Sequence, residues 1–192
     1  MSEHVYRCSP GDLLASFLSN TKQNRALYLL LGTSGSGKTS WCLDLVNQVS
    51  RSGLKVGGLL SPAIFAGDQK IGIDLLDLTT QEKRRLASRP PNQGENELCT
   101  GAWCLDQATL AWGNQCLQKQ PEPDILILDE IGPLEFTQKK GLLTGLDLVD
   151  SGSYRMAIVT IRPSLLEKAQ QRWPHSQVIE ITEYKGKPGG ES

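Results

Sequence analysis

Gly32, Gly37, Lys38 and Thr39 stand in the spacing G-x-x-x-x-G-K-T, a set of residue types suited to holding phosphates. Glycines let successive backbone N–H groups turn inward and ring an anion with no Cβ in the way. Lys38 then belongs between the outer phosphates of a nucleotide as a point charge, and the Thr39 hydroxyl on Mg2+. A helix expected to start near Thr39 and Ser40 adds the positive end of its dipole. Gly32, Thr33, Ser34, Gly35, Ser36, Gly37, Lys38, Thr39 and Ser40 are therefore the candidate nucleotide-binding residues. A second set of groups lies far along the chain. Asp129 and Glu130 end the apolar run ILIL. An Asp there can complete the metal site begun by Thr39. Glu130, one residue on, can polarise a water attacking the γ-phosphate, or it can merely help to hold the metal or cap a loop. Thr160, near the end of YRMAIVTI, suits a γ-phosphate sensor, and Arg162 could bring positive charge to the transition state. An ordinary β-former and a surface ion pair are the plainer alternatives for these two. Lys38, Glu130 and Arg162 are the catalytic candidates.

These groups need elements to position them. The apolar stretch 27–31 reads as a buried strand leading into the glycine loop, and residues 39–50 as a helix turning Cys42, Leu45, Val46 and Val49 inward. Residues 55–60 read as a second strand, stopped by Ser61-Pro62. Residues 63–78 form a β-hairpin arm, with Ile71, Ile73 and Leu75 alternating against Gly72 and Asp74. The polar stretch 79–98, with Pro90-Pro91, reads as a mobile segment. Helix is expected at 106–119, strand at 124–130, helix at 142–149, strand at 154–161, helix at 163–172 and strand at 177–181. Alternating strands and helices imply an α/β fold with a mostly parallel sheet and ligands at the carboxyl ends of its strands. Ahead of all this, Ser9 and Pro10 are the N-cap and first residue of a short helix whose apolar face is Leu13, Leu14, Phe17 and Leu18. The expected division is an N-terminal helical extension over 1–25, the nucleotide domain over 26–182, and a disordered tail over 183–192.

The totals exclude some classes of function. With 192 residues, the chain can bury a substantial core. Lys plus Arg number 20 against 21 acidic residues, so no global charge draws the protein to nucleic acid or membrane. Lys83, Arg84, Arg85 and Arg89 form a local basic cluster. No basic stripe with interleaved aromatics is present, so a nucleic-acid partner is not expected. Trp41, Trp103, Trp112 and Trp173 read as packing residues. The five cysteines include no C-x-x-C and have only two histidines beside them, so zinc is not expected and the cysteines read as reduced thiols of a cytosolic protein. The N-terminal segment has no apolar signal-peptide core and no stretch is long enough to span a bilayer. A soluble cytoplasmic location is expected.

Three runs in this order, GTSGSGKTS, KVGGLLSPAI followed by the hairpin, and DILILDEIGPLEF, resemble the P-loop nucleoside-triphosphatases of the thermophilic NTPase and cancer-related NTPase type. The resemblance covers roughly 26–181, and its most specific part is DEIGPLE at 129–135. It implies a three-layer P-loop NTPase sandwich, RecA-like or kinase-like, with the hairpin as an insertion. It also implies slow Mg2+-dependent hydrolysis of ATP, GTP and other nucleoside triphosphates to diphosphate and phosphate. Carried over, it makes residues 32–39 the phosphate site, Asp129 the metal-associated acid and Glu130 the base. The chain departs from the family pattern at Ser34, where Pro is common, in a longer stretch before Ala26, and over 99–107. Two alternatives stand beside hydrolysis. One is a nucleotide or nucleoside kinase using the basic cluster as a lid. The other is a slow NTP-dependent module meeting a protein partner through the N-terminal helix or the hairpin.

Overall fold

Every residue of 29–31, Ile125–Leu128 and Met156–Ile161 is buried, as strands covered on both faces must be. In the computed structural model, residues 5–20, 25–89, 98–100, 103–129 and 131–186 are described. The chain runs β1 (Val5–Tyr6), α1 (Pro10–Ser19), β2 (Ala26–Leu31), α2 (Lys38–Val49), β3 (Val56–Leu60), β4 (Ala63–Ala66) and β5 (Gln69–Asp77). It continues through β6 (Lys83–Ser88), β7 (Leu98–Thr100), β8 (Trp103–Leu105), α3 (Gln107–Lys119), β9 (Ile125–Leu128) and α4 (Pro133–Phe136). Last come α5 (Leu143–Ser151), β10 (Met156–Ile161), a 3-10 turn at Pro163–Leu165, α6 (Leu166–Arg172) and β11 (Gln177–Glu180).

One sheet joins the described strands. Its parallel part has the order β1-β11-β2-β10-β9-β3. From β3 the sheet turns antiparallel through β5, with β4 and β6 pairing on β5, and then β8 and β7. Leu59 pairs with Asp77 and Leu60 with Leu76. The earlier residues of β5 therefore lie past the carboxyl end of β3, and the β4–β5 hairpin rises at the end of the sheet that carries the glycine loop.

The pleat sends neighbouring residues to opposite faces. Leu29, Leu31, Leu126, Leu128, Val159 and Ile161 pack with Trp112, Leu117, Leu146, Val149 and Ala169 of α3, α5 and α6. Leu30, Ile125, Ile127, Met156 and Ile158 pack with Leu13 and Leu14 of α1 and Trp41, Leu45 and Val49 of α2. The result is the three-layer α/β sandwich. Each fully buried large aliphatic side chain stabilises it by about 1.5–3 kcal/mol.

The N-terminal helix starts as its sequence predicts: the Asp12 N–H donates to Ser9 Oγ, and the Ser9 N–H to the Asp12 carboxylate. It packs on α2, and the Trp41 indole N–H reaches the Cys8 carbonyl at 3.0 Å. Leu18 does not join the apolar face; it is 52% exposed. The stretch expected to be mobile contains a strand instead. The expected hairpin is the start of a five-strand antiparallel arm. Along β6, Lys83 and Arg85 face Asp74 of β5, and Arg84 faces Glu82. Residues 90–97 of the expected mobile stretch lie outside the described residues. Cys99 and Cys104 are not free thiols: they oppose each other across β7 and β8 and form a disulfide. Cys8, Cys42 and Cys116 are free. Of the expected tail, residues beyond Gly186 are outside the described set.

Candidate active site

The glycine loop sits between the carboxyl end of β2 and the start of α2. Gly35 and Gly37 adopt left-handed φ of 81° and 92°, conformations open to glycine at little cost. A Cβ on Gly32 would collide with Ser36 Oγ and the Ile181 carbonyl, and one on Gly37 with the Tyr184 carbonyl. Both glycines are thus required by close approach. Lys38, first residue of α2, folds its ammonium back onto the loop and donates to the Gly32 and Thr33 carbonyls at 2.8 Å each. Thr33, Ser34 and Gly35 are exposed at the crest of the loop, whereas Ser36 is buried. Ser40 lies half-buried in the first turn of α2.

Asp129 follows β9 and is only 2% exposed. Such a carboxylate needs donors, and three parts of the fold supply them. The Thr39 hydroxyl donates to Oδ2 at 2.7 Å, the Thr160 hydroxyl to Oδ1 at 2.6 Å, and the Ser61 N–H to Oδ2 at 3.2 Å. Topology explains the convergence. β10 lies between β2 and β9, with Thr160 beside Leu30 and Val159 beside Leu128. Leu59 of β3 is also beside Leu128, so the chain just past Leu60 comes level with Asp129. The loop threonine, the acid and the intervening-strand threonine, far apart in sequence, thus meet at one point. Arg162 directly follows β10 at this end of the sheet and is exposed. Glu130 lies outside the described residues. The Thr39 hydroxyl and Asp129 carboxylate are hard oxygen donors of the kind Mg2+ takes, and they lie within hydrogen-bonding distance of each other, so the residues fit that ion. Among the described residues, no cluster of three His, Cys, Asp or Glu could hold a metal.

Sequence reasoning missed four contributors. Ser61 was readable only as a strand stop, yet its N–H holds Asp129, and its buried Oγ has no hydrogen-bond partner among the described residues. Ile181, Tyr184 and Asp44 brace the loop: the Ile181 N–H donates to the Leu31 carbonyl, the Tyr184 N–H to the Ser36 carbonyl, and the Tyr184 hydroxyl to Asp44 Oδ2 at 2.6 Å. Burial first, and the Asp44 carboxylate after it, push the Tyr184 phenol up to about 12. No spacing signal marks these positions. Cys42, beneath the loop, has its thiol pushed well up by burial, with Asp129 adding to the shift and Lys38 opposing it; it is an inert core residue. Glu135, within the DEIGPLE run, is buried and structural: it accepts from the Gly132 and Leu142 N–H groups at 2.8 Å each.

The basic cluster is engaged within the arm and against α3. Besides its ion pairs, Arg84 covers the Trp112 ring at 4.6 Å, and Lys70 and Arg89 cover Trp103 at 5.2 and 5.9 Å. Trp41, Trp112 and Trp173 are buried, and Trp103 is half-buried.

Comparisons with known proteins bear on the fold and the family of the chain. The nucleoside-triphosphatase THEP1 of Methanopyrus kandleri is 31% identical over 108 residues, which cover 56% of this chain and 58% of that protein. The matched stretch thus spans less than two thirds of that relative. The nucleoside-triphosphatase THEP1 of Pyrococcus abyssi is 28% identical over 146 residues, 73% of this chain and 76% of that protein. Among solved structures, a human cancer-related nucleoside triphosphatase superposes with a TM-score of 0.62 at 18% identity, covering 83% of this chain and 89% of that one. THEP1 from Aquifex aeolicus superposes with a TM-score of 0.54 at 20% identity, covering 82% and 90%. At these identities the structural likeness is one of fold. The profile of the NTPase family matches residues 28–185, a span that reaches from the phosphate-loop strand to the segment bracing that loop, and the chain belongs to this family.

Proposed function

We propose that the chain hydrolyses nucleoside triphosphates to diphosphate and phosphate, as the names of its relatives describe for those proteins. The observation that carries the reading is the meeting of Thr39, Asp129 and Thr160 beside the glycine loop. In this reading the backbone N–H groups of residues 32–39 hold the phosphates, and the Lys38 ammonium moves from the loop carbonyls to the outer phosphate oxygens. Thr39 and Asp129 hold Mg2+, which when bound neutralises charge on the phosphates. Glu130, adjacent to Asp129 in sequence, takes a proton as water attacks the γ-phosphorus and the bond to the bridging oxygen breaks. Thr160, expected as a γ-phosphate sensor, instead holds the Asp129 carboxylate in place through its hydroxyl, and Arg162 adds positive charge at the same end of the sheet. Positioning and electrostatics supply most of the rate, because phosphoryl transfer asks little covalent chemistry of the protein.

For the kinase alternative, the lid cations Lys83, Arg84 and Arg85 pair with Asp74 and Glu82 and stay exposed at 57%, 46% and 52%, so it is the acceptor test that separates transfer from hydrolysis. Of the two expected partner surfaces, α1 is packed on α2, and the hairpin still presents Phe65 at 59% and Ile71 at 38% exposure. Among the described residues no helix is long and apolar enough to cross a membrane. We assign the protein to the cytoplasm, where the thiol pool would act on the Cys99–Cys104 link.

The test is phosphate release from ATP, GTP, CTP and UTP, with and without Mg2+ and with added nucleosides and monophosphates as acceptors. Water-directed, Mg2+-dependent turnover is expected. Lys38→Ala should lower it by about 10²–10³-fold. Glu130→Gln should retain binding and lose about 10²-fold or more in turnover. Wild-type turnover by Glu130→Gln would remove Glu130 as the base, and transfer to an acceptor would overturn the hydrolytic reading.

A further inference from the structure

The chain does not end its work on the glycine loop at Thr39. After β11 it returns to that loop from behind. The Ile181 N–H donates to the Leu31 carbonyl at 2.8 Å, and three residues later the Tyr184 N–H donates to the Ser36 carbonyl at 2.8 Å. The Tyr184 carbonyl sits against the Gly37 α-carbon closely enough to exclude any side chain there. The half-buried Tyr184 ring crosses to α2 and places its hydroxyl on Asp44 Oδ2 at 2.6 Å. One residue thus joins three parts of the phosphate site: the loop, the helix that follows it and the segment after the last strand.

The peptide plane gives this contact a consequence. The Ser36 carbonyl and the Gly37 N–H belong to one trans peptide, and in a planar trans peptide these two groups point in opposite directions. Turning the Ser36 carbonyl out to Tyr184 aims the Gly37 N–H to the other side of the loop, where an anion would be ringed. Gly37 is glycine, with φ of 92°, so its own backbone does little to hold that orientation. We propose that Tyr184, anchored through Asp44, is a positioning residue that sets nucleotide affinity by fixing the Ser36–Gly37 peptide. This inference rests on the NTP reading of the site.

Steady-state hydrolysis of Mg2+–ATP by the full chain tests it. Tyr184→Phe removes only the phenolic hydroxyl, and Asp44→Ala removes its acceptor; each raises KM about tenfold, the scale of one lost hydrogen bond to a charged group, with kcat held within about twofold. Asp44→Asn keeps an acceptor oxygen and returns KM to near the wild-type value. The double variant Tyr184→Phe/Asp44→Ala is no weaker than Asp44→Ala alone, because the Tyr184–Asp44 contact is already gone there. A general packing role would instead lower kcat, or lower the melting temperature without moving KM. If Tyr184→Phe fails to fold, the contrast between Asp44→Ala and Asp44→Asn carries the test. Wild-type KM in both Tyr184→Phe and Asp44→Ala overturns the positioning role while leaving hydrolysis intact. Failure of the wild-type chain itself to bind or hydrolyse any NTP overturns the function on which the role rests.

Discussion

A carboxylate as buried as Asp129 is tolerated only because its oxygens are supplied with donors, and two of those donors are threonine hydroxyls that carry no charge. The pair is not interchangeable. Thr39 also belongs to the phosphate loop, whereas Thr160 faces Asp129 from a fully buried strand, so its hydroxyl can be removed without touching the loop. Valine has the same branched shape and suits the strand equally well. Thr160→Val should therefore cost about 1–3 kcal/mol, the penalty for depriving a buried acceptor of its partner. At roughly 2–4 °C per kcal/mol for a chain of this size, the melting temperature falls by about 2–12 °C, and phosphate release falls with it. Thr160→Ser keeps the hydroxyl and should recover most of both. Thermal melts of the two variants alongside phosphate release check the claim; an unshifted Thr160→Val would mean that the Asp129 Oδ1 bond contributes nothing. At this scale the sequence was most informative where residue type is itself chemistry. Gly32, Lys38, Thr39 and Asp129 were legible because few other roles need those types in that spacing. Ser61 was not, because it acts through a backbone N–H that every residue possesses, and Tyr184 was not, because only the folded chain brings its N–H to Ser36 and its hydroxyl to Asp44.

Strands and helices were legible to the extent that their burial was complete. The runs that became β2, β9 and β10 are apolar at nearly every position, and only a doubly covered strand asks for that. β6 was missed for the opposite reason. Its first residues, Lys83, Arg84 and Arg85, read as a basic cluster within a mobile stretch, and only pairing with β5 reveals Asp74 opposite them. The same holds for Cys99 and Cys104, whose partnership exists only once β7 and β8 are in register. Strand ends carry a testable device. Asp124 precedes β9, and its carboxylate accepts from the Lys55 N–H at 2.9 Å, ahead of β3, and from Arg155 at 3.1 Å, ahead of β10. The Lys55 N–H above all, and then Arg155, hold this carboxyl below the usual aspartate range against the opposing effect of burial. A depressed folded-state value means the stabilisation is present above the ordinary aspartate pKa and is lost as pH falls through the lowered one. Asp124→Asn keeps an acceptor for Lys55 but no charge. Its melting temperature should lie below that of the wild type near neutrality, and the gap should close as the acid is titrated. A gap that stays constant down to about pH 2 would show that Asp124 acts by shape alone.

Across the whole molecule, the pleat makes the two cores inseparable. Leu29 and Leu31 face one core while Leu30 between them faces the other, and the same alternation runs through β9 and β10. Neither face can be uncovered without loosening strands that also carry the opposite one. The antiparallel arm is bound into the same unit: Ile73, Leu75, Leu86 and Ala87 share a core with Leu128, Val159 and Trp112 of the site-bearing half. A single cooperative transition is therefore expected despite the change from parallel to antiparallel pairing at β3. The tryptophans provide the probes, since Trp41 lies in the core under α2 and Trp112 and Trp173 lie in the other. In urea, the fluorescence of Trp41→Phe reports the second core and the arm, and far-UV circular dichroism reports the whole chain; the two midpoints should coincide. Saturating Mg2+–ATP should then move both together. At a hundred times its dissociation constant, a ligand held only by the folded state adds about 2.7 kcal/mol, and that increment reaches the arm only if the arm unfolds with the site. A fluorescence transition that precedes the circular dichroism and ignores the nucleotide would make the arm a separate folding unit. Coincident, nucleotide-shifted transitions would tie the arm's stability to the occupancy of the phosphate loop.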